Sequence, residues 1–100
     1  MDIQKLITMG KLECDFDIDG TVFHMVTPTA DEIEKVVSGT DLLTVCITQI
    51  DDRKFVEAKD KAELRNILGS AQGAIMGRVT IRLTDLITEQ GTIVDNLPKK

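Results

Sequence analysis

The sequence predicts an α+β fold in which an N-terminal β-hairpin packs on a domain of three to four helices. Polar and apolar residues alternate only in the first quarter of the chain, and helical spacing of apolar residues follows from Pro28 onwards. The length of 100 residues and the hydrophobic content of 42% suit one hydrophobic core. We therefore expect a single domain over residues 1–100, made of an arm at 1–10, a hairpin at 11–27, a helical part at 28–90 and a tail at 91–100.

The first predicted structural unit is the β-hairpin. Apolar side chains alternate with acidic ones along the segment Leu12-Glu13-Cys14-Asp15-Phe16-Asp17-Ile18, which is typical of a half-buried strand. Asp19-Gly20 is a strong signal for a hairpin turn because both residues tolerate positive φ, and a β-rich segment follows. The arm before the hairpin carries no convincing cap, and we expect a short helical turn or a loose segment there.

Two helices are predicted to follow the hairpin. Thr29 and Glu32 form a capping-box pattern, in which side chains satisfy the first free N–H groups of a helix that runs to about residue 37. A second helix is expected to begin at Thr40 or Asp41 as its cap. It continues to Ile50 with almost no polar face, so we expect it to be largely buried.

Two more helices are predicted in the second half of the chain. A turn and a short extended piece over residues 51–56 precede a third helix, which Asp60 caps. The last helix extends over about residues 71–90 and ends at Gly91. Taken alone, residues 78–83 alternate like a strand, so a strand there is the alternative prediction.

Charge and cysteine content narrow the classes of partner and compartment. A net charge of −5 and a pI near 4.7 argue against nucleic-acid and anionic-membrane partners, because both bind clustered Lys and Arg. Cys14 and Cys46 are too few for a disulfide scaffold and are expected as buried free thiols in a reducing compartment. The sequence shows no signal-peptide segment and no apolar run long enough for a membrane span, so we expect a cytoplasmic location.

The segment Asp15-Phe16-Asp17-Ile18-Asp19-Gly20 matches the opening of a calcium-binding loop. The last ligand position of such a loop needs a bidentate Glu, and Val26 stands there instead. The apolar residues between the aspartates also keep the alternation of a strand. The pattern therefore favours a solvated acidic hairpin face, and calcium binding through Asp15, Asp17 and Asp19 is a remote alternative.

The segment Asp17-Ile18-Asp19-Gly20-Thr21 resembles the first motif of the haloacid-dehalogenase-like phosphatases. The resemblance implies that Asp17 is a nucleophile and Asp19 an acid/base, with Asp51-Asp52 imitating a later acidic pair. Such enzymes need a doubly wound sheet, normally in a longer chain, and their nucleophile follows a nearly continuous apolar strand. The phosphatase hypothesis is therefore also a remote alternative.

His24 is the single histidine of the chain. No second metal ligand and no nucleophile has a suitable spacing around it. We therefore predict no catalytic residues, no metal site and no cofactor, and we expect that the chain is not an enzyme.

Gly69, Gly73 and Gly77 recur at every fourth residue, and two interpretations stay open. On one helix they would leave a stripe without side chains, against which another backbone packs as an assembly surface. Alternatively, Gly69 and Gly73 lie in the link before the last helix and act as flexible joints.

The order of the segments is more informative than any single motif. An acidic strand pair joined by Asp-Gly precedes Val26-Thr27-Pro28-Thr29-Ala30-Asp31-Glu32, which opens a helix. A nearly all-apolar helix then precedes Ile50-Asp51-Asp52-Arg53-Lys54-Phe55, and helices continue from there. This arrangement, from about Leu12 to Leu86, resembles the small tail-assembly chaperones of tailed bacteriophages and related baseplate-assembly proteins.

The resemblance implies a protein that binds the tape-measure protein, an elongated and largely helical tail component, in the host cytoplasm. It would keep that partner soluble while the tail tube polymerises. A chaperone of this kind needs an exposed apolar groove or stripe, and we expect the contacts on the exposed edges of the first and last helices, at Ile33, Val37, Ile81 and Leu86. The alternative is a structural tail or baseplate component that self-associates, since the hairpin leaves open strand edges.

Overall fold

An antiparallel four-stranded sheet packs on helices in the computed structural model of the chain, which describes Ile3 and residues 10–95. The predicted α+β class is confirmed. Apart from Ile3 and Gly10, the predicted arm lies outside the described residues, as do residues 96–100 of the predicted tail. In chain order the elements are β1 (Glu13–Ile18), β2 (Thr21–Val26), α1 (Ala30–Glu34), α2 (Gly39–Cys46), β3 (Ile47–Ile50), β4 (Arg53–Lys54), α3 (Ala58–Ser70) and α4 (Gly73–Asp95).

β1 and β2 form the predicted hairpin, and the turn between them has the geometry that Asp-Gly favours. Asp19 and Gly20 have φ values of 51° and 85°, so both lie in the left-handed region that a tight two-residue turn requires. The two strands pair in continuous antiparallel register from the turn to Glu13 opposite Val26. The local turn signal was therefore sufficient to predict this part of the sheet.

α1 begins with the predicted capping box. The Thr29 hydroxyl accepts a hydrogen bond from the Glu32 N–H at 3.3 Å, and the Glu32 carboxylate accepts one from the Thr29 N–H at 2.9 Å. The helix is shorter than expected and ends at Glu34. The β-branched residues Val36 and Val37 follow the end of the helix, and β-branched side chains have a lower helix propensity.

α2 is capped by Ser38, so the prediction of Thr40 or Asp41 as its cap is wrong. The Ser38 hydroxyl accepts a hydrogen bond from the Asp41 N–H at 3.2 Å, which satisfies one of the unpaired donors at the helix start. The Asp41 carboxylate accepts another from Arg65 Nε at 2.8 Å, and this bond is the main reason why the pKa of Asp41 lies below its usual value. Asp41 therefore joins the start of α2 to α3.

The chain passes from α2 directly into β3, so the prediction of one helix through Ile50 is wrong. Ile47 and Ile50 pair with Met25 and Phe23 of β2, and the register shifts between His24 and Met25. β-branched side chains suit a pleated strand, and the neighbouring strand supplies hydrogen bonds that no local pattern reveals. Tertiary pairing therefore decides the conformation of this apolar segment.

Lys61 of α3 holds the junction between α2 and β3 in place. Its ammonium group donates hydrogen bonds to the carbonyl oxygens of Thr44 at 2.9 Å and Ile47 at 2.6 Å. The last carbonyls of a helix have no partners within it, and a lysine ammonium supplies them. Burial lowers the pKa of Lys61 from its usual value of 10.5, so the two bonds are formed by a partly desolvated charge.

The core lies between one face of the sheet and the helices α2, α3 and α4. Side chains from all of these elements form one apolar cluster, and α4 contributes residues spaced by three and four positions, which lie on one helix face. The buried hydrophobic residues are Ile18, Phe23, Met25, Leu43, Cys46, Ile47, Phe55, Leu64, Leu68, Val79, Leu83 and Leu86.

α4 is one continuous helix through residues 78–83, the segment for which a strand was the alternative prediction. Arg78–Leu83 lies inside it, which confirms the preferred prediction. The predicted stop at Gly91 is wrong, because the helix continues to Asp95 and one glycine costs only about 1 kcal/mol there. Neither α4 nor any other helix within residues 10–95 is long and apolar enough to cross a membrane.

The three regularly spaced glycines do not form a stripe on one helix. Gly69 lies in the last turn of α3, whereas Gly73 opens α4 and Gly77 follows it there. A Cβ atom at Gly73 or Gly77 would meet no described atom within 4 Å, so no backbone within the described residues packs closely against them. Of the two interpretations that the sequence left open, a stripe on one helix does not occur, because the break between α3 and α4 falls between Gly69 and Gly73.

Replacement of Gly77 by alanine is expected to stabilise the protein. The residue lies inside α4, and Gly77→Ala reduces the conformational entropy lost on folding, so the free energy of unfolding should rise by about 0.5 to 1 kcal/mol. Urea denaturation measures this change. Gly20→Ala is the matched control and should lower stability, because Gly20 has a φ of 85°. A loss of stability in Gly77→Ala would contradict the open helix surface described.

The buried thiol of Cys46 predicts a loss of stability at alkaline pH. Burial raises its pKa from 9.0 to about 12, so the folded state keeps the thiol protonated while the unfolded chain ionises it. Stability is therefore retained below pH 9 and falls as pH rises from 9 towards 12, by about 1.4 kcal/mol per pH unit. Urea denaturation at pH 8 and pH 10 should show a larger decrease for the native chain than for Cys46→Ala. Lys61 titrates in both proteins, and equal decreases would contradict the assignment.

Candidate functional site

A shallow groove lies between β1 and α4, and we call it the β1–α4 groove. It is lined by Phe16, Arg78, Ile81, Arg82 and Asp85 and has a volume of about 200 Å³. Phe16 is partly buried against the core, whereas 65% of the Ile81 surface is exposed. The groove therefore brings an apolar strand residue and an apolar helix residue together at the protein surface.

Two arginines and one aspartate place charged groups around the apolar residues of the β1–α4 groove. Arg78 and Arg82 are one helical turn apart, and neither forms an ion pair with any residue that the structure describes. Burial raises the pKa of the Cys14 thiol, and the nearby positive charge of Arg82 offsets part of that increase. Arg82 therefore lies close to the inner face of β1, beside Cys14.

β1 is an edge strand, and its backbone has a free side within the described sheet. The strand order is β1-β2-β3-β4, and the Thr27 N–H donates to the Leu12 carbonyl at 3.0 Å. In an antiparallel pair, the backbone N–H and C=O groups of every second residue point towards the neighbouring strand. The groups of Leu12 and of every second residue after it therefore point towards β2. The N–H and C=O groups of Glu13, Asp15 and Asp17 therefore point away from β2, and we call this row the β1 edge.

The side chains at the β1 edge make one face of the sheet acidic. Glu13, Asp15 and Asp17 are exposed on the face opposite Phe16, as the predicted alternation requires. The Asp15 carboxylate and His24 Nδ1 form a hydrogen bond across the strand pair. This places the single histidine of the chain on one face of the hairpin.

Three of the four residues predicted to contact a partner are exposed. The exposed fractions are 56% for Ile33, 91% for Val37 and 65% for Ile81. Leu86 is only 2% exposed, so its predicted place on a free edge is wrong. It lies on the same face of α4 as Val79, and that face enters the core.

The exposed residues lie on different elements of the fold. Ile33 belongs to α1, which packs on α2, and Val37 lies in the segment between these helices. Ile81 belongs to α4, which packs on α2 and β1. Of the predicted contact residues, Ile81 alone lines the β1–α4 groove.

A larger cleft lies between the end of β2 and the start of α1, with a volume of about 600 Å³. Its hydroxyl groups already serve the fold. The Thr27 hydroxyl accepts from Gln90 Nε2 at 3.0 Å, the Thr48 hydroxyl donates to the His24 carbonyl at 3.3 Å, and Thr29 caps α1. Among the described residues, the lining of the cleft includes Lys11, Asp31 and Glu32 but no Ser, Cys or His.

The aspartates near the hairpin turn stabilise turns and do not converge on a metal site. The Asp17 carboxylate accepts from the Gly20 N–H at 3.0 Å, and the Asp51 carboxylate accepts from the Val22 N–H at 2.9 Å. Within residues 10–95 no three acidic, His or Cys side chains are placed to hold a metal ion. The sheet is antiparallel, so Asp17 also lacks the parallel scaffold of the phosphatases it resembles.

Sequence reasoning found Ile81 but missed the other residues of the β1–α4 groove. Arg78 and Arg82 lie close to Ile81 on one side of a helix, because the three residues are spaced by one helical turn or less. This spacing is visible in the sequence. Their proximity to Phe16 depends on the packing of α4 along β1. A contact between residues that lie so far apart in the chain has no signal in a single sequence.

Comparisons of the chain with protein-family models, with curated proteins and with solved structures find no match.

Proposed function

We propose that this chain is a non-catalytic protein-binding domain, and that it acts as a tail-assembly chaperone which keeps a phage tape-measure protein soluble. The observation that carries the proposal is the β1–α4 groove, where exposed Ile81 lies beside Phe16. Singly exposed apolar residues are ordinary, but an apolar pair in a groove flanked by charges is typical of a contact site for another protein.

The chemistry of the described polar groups supports a binding role over catalysis. The hydroxyls of Thr27, Thr29 and Thr48 and the Glu32 carboxylate near the larger cleft form hydrogen bonds within the fold, and burial raises the pKa of Cys14 and of Cys46. A raised thiol pKa leaves little thiolate to act as a nucleophile at neutral pH. These groups therefore do structural work, while the exposed apolar surface remains available to a partner.

The choice of a tape-measure protein as partner rests on the resemblance to tail-assembly chaperones. A long helical partner exposes apolar faces before it assembles, and an acidic chaperone with a net charge of −5 keeps such a complex soluble. The predicted contact residues Ile33, Val37 and Ile81 are exposed and free to take part. We retain them as the proposed contacts and exclude Leu86.

Self-association through the β1 edge is less favourable than binding of a different partner. Two copies of β1 in antiparallel pairing would bring Glu13, Asp15 and Asp17 of one copy close to the same carboxylates of the other. Like charges directly opposite each other destabilise a strand pair. The β1 edge therefore disfavours self-association by strand pairing, the route proposed for the alternative of a structural tail component. It favours a partner of opposite charge.

Co-expression with the tape-measure protein from the same gene cluster tests the proposal. The chain should raise the fraction of that protein in the soluble lysate, and Ile81→Asp should reduce this fraction because it places a charge in the β1–α4 groove. The exposed position of Ile81 keeps the expected change in unfolding free energy within about 0.5 kcal/mol. Urea denaturation of the purified variant checks that the fold is retained.

The matched control is Val56→Asp, which makes the same replacement at a side chain that is 71% exposed and outside the proposed contacts. It should leave the soluble fraction unchanged. A tape-measure protein that stays insoluble with the native chain would contradict the chaperone role. Equal effects of the two variants would contradict the β1–α4 groove as the site.

A further inference from the structure

The β1 edge and the β1–α4 groove are adjacent, and their combined chemistry defines what fits there. A strand added beside β1 would bond to the outward N–H and C=O groups of Glu13, Asp15 and Asp17. Its side chains would then alternate between the acidic face of the sheet and the face that carries Phe16 and Ile81. The added strand therefore needs basic side chains on one of its faces and apolar side chains on the other.

We propose that the β1 edge and the β1–α4 groove together form a docking site for an extended segment of a partner protein, in which basic and apolar residues alternate. The proposal rests on the protein-binding function and names the segment that this function uses. Lys or Arg side chains pair with the three carboxylates, and the apolar side chains between them contact Phe16 and Ile81.

Charge complementarity selects this occupant over a second copy of the chain. β1 offers three carboxylates on one face, so a copy of β1 brings repulsion where a basic strand brings attraction. Edge strands commonly carry charges that prevent unwanted pairing, and the same charges admit a strand of opposite sign. Arg78, Arg82 and Asp85 line the groove on the other face, which receives the apolar side chains of the docked segment.

The test uses the full chain and a labelled peptide of alternating Lys and Val, about seven residues long to match a strand. A control peptide has the same composition with its Lys and Val in two separate blocks. Fluorescence polarisation should show tighter binding of the alternating peptide, because the blocked order cannot place all its charges on one face of a strand.

Asp15→Pro is the decisive variant. Proline removes the outward N–H of residue 15 and is tolerated on an edge strand, because the bonds between β1 and β2 use the alternate residues. Binding of the alternating peptide should weaken at least about tenfold. Asp15→Asn retains the N–H and the shape of the side chain, so it should weaken binding less than Asp15→Pro does and measure the contribution of one charge. Glu13→Pro repeats the test at the strand start if circular dichroism shows that Asp15→Pro is unfolded.

Each outcome decides the proposal. A preference for the alternating peptide that is lost in the folded proline variant supports strand addition. Equal binding of the two peptides, or unchanged binding in the proline variant, indicates non-specific charge attraction and overturns it. Absence of binding by both peptides also overturns it, and in that case solubilisation of the tape-measure protein on co-expression shows separately whether the protein-binding function stands.

Discussion

The hydrogen bonds from the Lys61 ammonium to the junction of α2 and β3 are the interaction on which the arrangement of the chain depends. Because α2 turns into β3 without a loop, the carbonyls at the end of the helix need a partner from outside it, and α3 supplies that partner. The junction then places β3 against β2, on the side away from β1. β1 is left at the edge, with α4 packed along its inner face. The position of the proposed docking site is thus linked to the contact between α3 and the junction of α2 and β3.

The elements that the sequence predicted correctly are those whose conformation depends on residues close together in the chain. Asp19-Gly20 predicts the hairpin because positive φ is a property of the turn residues themselves, and Thr29 with Glu32 predicts the start of α1 because the capping bonds span one helical turn. β3 was missed because Ile47 and Ile50 are apolar enough for a buried helix or a buried strand, and only the pairing with β2 separates the two.

The same distinction applies to the candidate site. The exposure of Ile81 follows from its place on the helix face opposite Val79 and Leu83, but the burial of Leu86 requires knowledge of how α4 is rotated against the core. The acidic alternation of β1 is visible in the sequence, whereas its place at the edge of the sheet is not. What the fold adds is the meeting of that edge with the groove beside α4. The two together give one surface both acidic and apolar groups.

Hydrogen exchange of backbone amides, measured for the full chain alone and in complex with the tape-measure protein, tests the central claim most directly. In the free chain the outward amides of Glu13, Asp15 and Asp17 have no partner within the described residues and should exchange faster than those of the alternate residues, which bond to β2. In the complex the account predicts slower exchange at these three amides, with smaller changes in β4 at the opposite edge. Unchanged exchange along β1, with protection confined to α1 or α3, would contradict it.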